Sequence, residues 1–241
     1  MQTSGNTVLI TGGSSGIGLA LVKKFYGADN HVIVVGRDIV RLERVRQTYP
    51  AIEIFQGDIT EQASLHGLVS YFPNVNVLVN CAGVQFNYDL SDQEIDASLI
   101  NVEVLTNLVA PMQLIKLYLP ELLQHPQAAI VNVSSGLALV PKQSAPLYCG
   151  SKAAVHIATK ALRWQLEQTR IKVFELIPPL VDTPMTQSRN NPKISPEALA
   201  EEFWRAFQKD HYEIYAGRVK LLRFLNVLAP KLAERIMRGG A

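Results

Sequence analysis

Residues 7–27 read TVLITGGSSGIGLALVKKFYG, and their order decides how the rest of the chain is interpreted. Thr7 to Thr11 is a short apolar run with the look of a buried strand. Gly12, Gly13, Gly16 and Gly18 follow at once. From Ile17 to Gly27 the pattern turns helical, with Ile17, Leu21, Val22 and Phe25 on one face. Strand, glycine turn and helix in this order form the setting in which a backbone approaches a pyrophosphate closely. The free N–H groups of the helix N-terminus then receive its charge.

The same alternation continues. His31 to Val35 reads as a second strand and ends in Gly36-Arg37-Asp38, about 20 residues past the glycines, where a ribose 2′-hydroxyl or 2′-phosphate would lie. The guanidinium of Arg37 suits a 2′-phosphate, which favours NADP(H) over NAD(H). Ile52 to Phe55 and Asn76 to Val79 are the third and fourth strands. Gly57-Asp58-Ile59 follows the third, with a capped helix expected from Thr60; Asn80-Cys81-Ala82-Gly83 follows the fourth. Leu90 to Leu123 is expected to be one amphipathic helix bent at Pro111 and Pro120. Asn107 lies within it among leucines and a valine, where an asparagine satisfies a backbone group or marks a bulge. Strands alternating with helices imply right-handed crossovers, a parallel sheet, and a ligand at the carboxyl ends of the strands.

The second informative stretch is VNVSSGLALVPKQSAPLYCGSK, residues 131–152. Ile130 to Val133 reads as a buried strand that ends at Ser134 and Ser135. A helix is expected from near Tyr148 to about Gln168, so Tyr148 and Lys152 share a face. An ammonium near a phenol favours phenolate, so Lys152 is expected to lower the Tyr148 pKa toward working pH. Such a tyrosine can exchange the proton that accompanies hydride transfer to a carbonyl. Ile171 to Ile177 is the sixth strand and Tyr212 to Tyr215 a short last one. Thr186 to Pro192 reads as a lid, and Ser195-Pro196 opens a helix.

With 241 residues, 48% of them hydrophobic, the chain fits one large α/β domain over residues 1–241, with a substrate loop at about 179–210. A net charge of +2 argues against nucleic acid as a partner. Cys81 and Cys149 have no metal-ligand spacing; two reduced thiols fit a cytoplasmic protein, and no metal is expected. The start MQTSGN leaves no room for a signal peptide, and no uncharged apolar run is long enough to span a bilayer. The tail over 218–241 alternates leucines with Lys220, Arg223, Lys231, Arg235 and Arg238. Its apolar stripe is expected to pack on protein rather than lie on a membrane.

Taken together, these motifs resemble the short-chain dehydrogenase/reductase family, and most closely its DltE-like bacterial oxidoreductases. Thr11 to Gly18 matches the family's TGxxxGIG loop, and Asn80-Cys81-Ala82-Gly83 its NNAG segment with cysteine at the second position. Ser135, Tyr148 and Lys152 match its catalytic serine and YxxxK, and Asn107 is similar to its catalytic asparagine. The resemblance implies a Rossmann-type doubly wound sheet of about seven strands. It implies an NAD(P)(H)-dependent enzyme that interconverts a small-molecule carbonyl and alcohol, with Tyr148 as acid/base. Gly12, Ser14, Ser15, Gly16, Ile17 and Gly18 would surround the cofactor phosphates and ribose. Asp58 and Ile59 would hold the adenine, while Asn80, Ala82 and Gly83 would stabilise the sheet centre and contact ribose. Lys152 would bond the nicotinamide ribose, Ser135 would orient the carbonyl, Asn107 would hold a water, and Thr183 would bind the carboxamide. A homodimer or homotetramer is implied. Pro179, where the family usually has glycine, departs from the pattern and leaves open a nicotinamide-binding sensor or partner-binding protein with little turnover. A sugar-nucleotide epimerase fits less well, because only about fifty residues follow Thr183.

Overall fold

The structure, a computed structural model, describes residues 1–239. Gly240 and Ala241, the last two positions of the basic tail, lie outside the described residues. In chain order the first half comprises β1 (Thr7–Thr11), α1 (Gly16–Tyr26), β2 (His31–Gly36), α2 (Ile39–Thr48), β3 (Glu53–Gln56), α3 (Gln62–Tyr71) and β4 (Val77–Asn80). Next come α4 (Ser98–Val104), a π-helical turn (Leu105–Val109), α5 (Ala110–Leu122), β5 (Ala128–Val133), α6 (Pro146–Gln165) and β6 (Ile171–Ile177). The chain closes with α7 (Pro196–Gln208), β7 (Glu213–Tyr215), α8 (Val219–Leu228) and α9 (Pro230–Arg238).

All seven strands join one parallel sheet in the order β3-β2-β1-β4-β5-β6-β7. The order reverses between β1 and β4, and there the crevice for a ligand opens. Both faces are covered, so the central strands are mostly apolar and consecutive residues serve opposite layers. Val8, Ile10, Val32 and Val34 pack under α1 and α7, against Leu21, Phe25, Phe203 and Phe207. Leu9, Ile33 and Leu78 face the other way, against Leu65 and Leu68 of α3 and Leu114, Ile115 and Tyr118 of α5.

The expected helix over Leu90–Leu123 starts late, at Ser98. Three aspartates explain the delay. Asp89, Asp92 and Asp96 each accept the backbone N–H two residues on, from Ser91, Glu94 and Ser98, at 2.9, 3.0 and 2.8 Å. Such local turns compete with helix hydrogen bonding. The bend expected at Pro111 is met by the π turn just before it, where Ala110 N–H bonds Leu105 O. A proline ring clashes with the carbonyl four residues back, and widening the preceding turn relieves this. The helix expected from Thr60 begins at Gln62 instead, because Asp58 takes the Thr60 N–H at 2.9 Å.

Among the described residues one helix approaches a membrane span by length and composition, although Glu103, Lys116 and Glu121 keep it from being an uncharged run. Ser98–Leu122 is 25 continuous helical residues, and an 18-residue stretch within it has mean hydropathy 1.3, long and apolar enough by length and composition alone. In the fold this helix is a core element: Leu114, Ile115, Tyr118 and Leu122 are buried against the sheet, and Glu103 and Asn107 are hydrogen-bonded within the protein.

Candidate active site

The glycine turn is shaped by what surrounds it. Gly12 has φ +69°, a left-handed conformation that only glycine adopts freely, and a Cβ there would stand 2.9 Å from Ala82 Cα. At Gly18 a Cβ would come within 2.2 Å of the Gly12 carbonyl oxygen, so α1 packs onto the turn only without a side chain. Ser15 is the N-cap of α1 but makes no side-chain cap hydrogen bond. The first turn therefore lacks the usual internal partner for its N–H groups and suits an anion. Thr11 ends β1 and opens the glycine motif. Its hydroxyl accepts the N–H groups of Cys81 and Ala82, each at 3.1 Å, and fixes the loop after β4 against the turn.

A cavity of about 640 Å³ runs along the carboxyl ends of the strands. At one end it is lined by the glycine turn, Arg37, Asp58 and Ile59; at the other by Ser135, Tyr148 and Lys152, with Ala82, Gly83 and Thr183 between. Arg37 is exposed and pairs with Asp58 at 3.4 Å, while Arg41 pairs with Asp38 at 3.0 Å. Burial alone would raise the Asp58 carboxyl, but hydrogen bonds from Thr60 and the Arg37 charge outweigh it and hold it below its ordinary value. Exposed pairs of this kind are worth about 0–1 kcal/mol, little enough for a phosphate to displace.

Two of the expected site residues, Asn80 and Asn107, stand behind the cavity wall. Asn80 is buried at the sheet centre, donating to Asn132 at 2.9 Å, and Asn132 donates in turn to Thr159 at 2.9 Å. The side-chain oxygen of Asn80 has no hydrogen-bond partner among the described residues. Asn107 sits in the π turn and grips the loop after β4: it accepts the Val84 N–H at 2.9 Å and donates to Val84 O at 2.9 Å. Gly83 keeps the space between this amide and Lys152 open, since a Cβ there would lie 3.2 Å from Asn107 Oδ1 and 3.6 Å from Lys152 Nζ.

Tyr148 and Lys152 occupy successive turns of α6, and Ser135 follows the end of β5. The Lys152 amine donates to Val133 O at 2.8 Å and lies 5.9 Å from the centre of the Tyr148 ring. Burial pulls its pKa down to about 8. The expected acidification of Tyr148 by Lys152 does not appear. Burial pushes the phenol up to about 12, and a hydrogen bond with Ser135 and the Arg189 charge only moderate this. The desolvation of a phenolate wins, because the lysine is engaged with a backbone carbonyl rather than with the phenol oxygen.

Two buried carboxylates escaped the sequence reading. Glu103, fully buried, accepts the Phe86 N–H and the Tyr88 hydroxyl, each at 2.8 Å, and so ties down the loop beside Tyr148. Glu175, in β6, accepts the Ser134 hydroxyl and pairs with His156 at 2.9 Å. The hydrogen bond to Glu175 raises the His156 pKa despite its burial. A carboxylate inside an apolar helix or strand was the available signal in both cases. The C-terminal helices were also underestimated: Leu221, Leu222 and Leu225 of α8 and Ile236 and Met237 of α9 wall the cavity beyond Tyr148.

A doubly wound sheet, a glycine cradle at its switch point and a Ser–Tyr–Lys cluster at the same strand ends define a nucleotide-binding oxidoreductase. Residues 6–194 match the short chain dehydrogenase family, and the chain belongs to that family of NAD(P)-dependent enzymes. It is 38% identical over 233 residues to the uncharacterised oxidoreductase DltE of Bacillus subtilis, covering 92% of both chains. A short-chain dehydrogenase from Burkholderia cenocepacia, solved in complex with NADP, superposes with a TM-score of 0.89 at 23% identity, covering 98% of this chain and 99% of that one. One from Burkholderia phymatum, in complex with NAD, gives 0.84 at 21% identity, with 100% and 98% covered. The fold and class expected from the sequence are borne out.

Proposed function

We propose that the protein is a carbonyl reductase that prefers NADP(H) over NAD(H) and converts a ketone or aldehyde to an alcohol. The observation that carries this reading is the opening of the Ser135–Tyr148–Lys152 cluster into the same cavity as the glycine turn. Gly12, residues 14–18, Arg37 and the Ala82–Gly83 corner fit a dinucleotide, because they line one cavity, the uncapped end of α1 offers N–H donors to phosphates and Arg37 adds a guanidinium. The bound nicotinamide would supply the hydride. Ser135 holds the substrate carbonyl oxygen beside the Tyr148 hydroxyl, and Tyr148 gives that oxygen its proton as the alcohol forms. Positioned donors of this kind are worth a few kcal/mol each in the transition state. The Lys152 ammonium then supports the phenolate, and Asn107 holds a water that returns a proton through Lys152.

The raised Tyr148 pKa favours the reductive direction. A phenol at about 12 is fully protonated at neutral pH, which suits a proton donor and handicaps a base. Arg37 supports the NADP(H) preference, and the Burkholderia cenocepacia neighbour binds NADP; the Burkholderia phymatum neighbour binds NAD. Exposed apolar residues on α4 and α6 support a homodimer or homotetramer, and two unpaired thiols fit a cytoplasmic setting.

The test follows nicotinamide absorbance with a panel of ketones and aldehydes, using whichever of NADPH and NADH stabilises the protein more against heat. Tyr148→Phe is expected to lose at least about a hundredfold in kcat while keeping cofactor affinity. A variant as active as the wild type would overturn the mechanism. Thermal stabilisation by the nucleotide without turnover on any carbonyl would support a nicotinamide-binding sensor instead.

A further inference from the structure

The two ends of the cavity differ in charge. At the adenine end Arg37 and Arg41 face Asp58 and Asp38. At the Tyr148 end the lining contains Lys142, Arg189 and Arg218 and no carboxylate. Among the described residues, none of these three side chains forms a salt bridge. The acid near Tyr148, Glu103, is fully buried, does not line the cavity, and is occupied by Phe86 and Tyr88.

Lys142 and Arg189 are both half-buried. Lys142 is anchored next to the reacting phenol, because its N–H bonds the Cys149 sulfur at 3.3 Å, one residue beyond Tyr148. Arg189, also in the lining, is placed by a turn, its backbone N–H on Thr186 O at 3.0 Å. Burial lowers the Lys142 pKa, and the charge of nearby Arg189 lowers it further. Arg189 also moderates the pKa of Tyr148. Two like charges lining the same end of one cavity as Tyr148, with no carboxylate in that part of the lining, is a costly arrangement unless a ligand anion completes it. The adjoining wall is apolar: Leu221, Leu222, Leu225, Ile236 and Met237.

We infer, resting on the reductase reading above, that the substrate is an amphipathic carbonyl compound whose carboxylate is held by Lys142 and Arg189 while its hydrocarbon part lies against α8 and α9. The positioned carboxylate sets the carbonyl against Ser135 and Tyr148, and the charge selects against neutral ketones of equal size.

The experiment uses the full chain saturated with NADP⁺ and compares octanoate with octanamide by calorimetry, a pair alike in shape and different in charge. Octanoate is expected to bind at least about tenfold more tightly, as a charge-assisted contact warrants. Lys142→Gln and Arg189→Gln each reduce that preference, the double variant abolishes it, and Arg189→Lys retains most of it. The NADP⁺ affinity stays unchanged in all of them. Equal binding of the two probes by the wild type overturns the inference. So does an equal loss of NADP⁺ affinity in the variants, which would assign the charges to the cofactor phosphates. Reduction of 2-oxooctanoate against 2-octanone gives the second readout: a kcat/KM ratio of about ten or more in favour of the acid is expected, and equality overturns the inference. The binding comparison does not need turnover. Octanoate preference without reduction of any carbonyl would defeat the reductase reading and leave the anion site standing.

Discussion

At the scale of single residues, Lys152 decides how this site responds to pH. Its amine is buried and holds the Val133 carbonyl, and its pKa falls from 10.5 to about 8. On the proposed mechanism, below that pH the ammonium is present to support a phenolate as Tyr148 gives up its proton; above it the support is lost. Reductase activity is therefore expected to be level up to about pH 8 and to fall beyond it. Stability moves the other way. The folded amine releases its proton before the unfolded one does, so the unfolded state binds more protons between about pH 8 and 10.5, and stability rises across that window. Lys152→Met removes both trends. Denaturant midpoints and initial rates measured on the same samples separate this titration from simple alkaline unfolding, in which both quantities fall together.

The residues that sequence reading found share a property. Gly12 and Gly18 are required by contacts too short for any side chain, and Tyr148 and Lys152 by a spacing of one helical turn. Each such requirement acts within a few positions of the chain, so it leaves a local trace. Glu103, Glu175 and Lys142 carry no such trace. Their partners are Phe86 and Tyr88 for Glu103, Ser134 and His156 for Glu175, and for Lys142 an uncompensated Arg189. These relationships exist only after the sheet has brought distant segments together.

Among the secondary-structure elements, strands and helices that read clearly are those whose period matched a buried face. The helix over 90–97 failed because aspartates captured neighbouring N–H groups in turns, a competition that apolar periodicity does not register. The pairing of α1 with α7 shows what holds the glycine cradle still. Phe25 of α1 meets Phe203, Trp204 and Phe207 of α7 with ring centroids 6.0, 5.2 and 5.6 Å apart. Since α1 runs from Gly16 to Tyr26 and Phe25 lies in its last turn, the aromatic cluster anchors the helix whose start would face the cofactor. Phe203→Ala is expected to cost about 3–5 kcal/mol, the range for a buried phenylalanine, read as a shift in urea midpoint with the slope unchanged. A cost below about 1 kcal/mol would mean that α7 does not anchor α1.

For the whole molecule, the question is what covers the apolar residues left outside. Ile157 and Trp164 of α6 are 64% and 65% exposed, and their spacing of seven puts them on one face of the helix. Val102 and Leu105, 37% and 42% exposed, lie on the helical run that packs beside α6. None of these side chains lines the cavity, so a substrate does not account for them. A second copy presenting the same face would, because a two-fold contact is self-complementary and buries every such residue twice. The same α6 carries Tyr148 and Lys152 at its other end, so pairing there would also stiffen the site. The double substitution Ile157→Glu and Trp164→Glu places like charges opposite each other across that axis and is expected to yield a smaller particle by sedimentation. Weaker turnover should accompany the loss of assembly, with the cofactor-binding residues untouched. A wild-type chain that sediments as a monomer at micromolar concentration would remove this account of the exposed α6 face, and the apolar residues on it would need another partner.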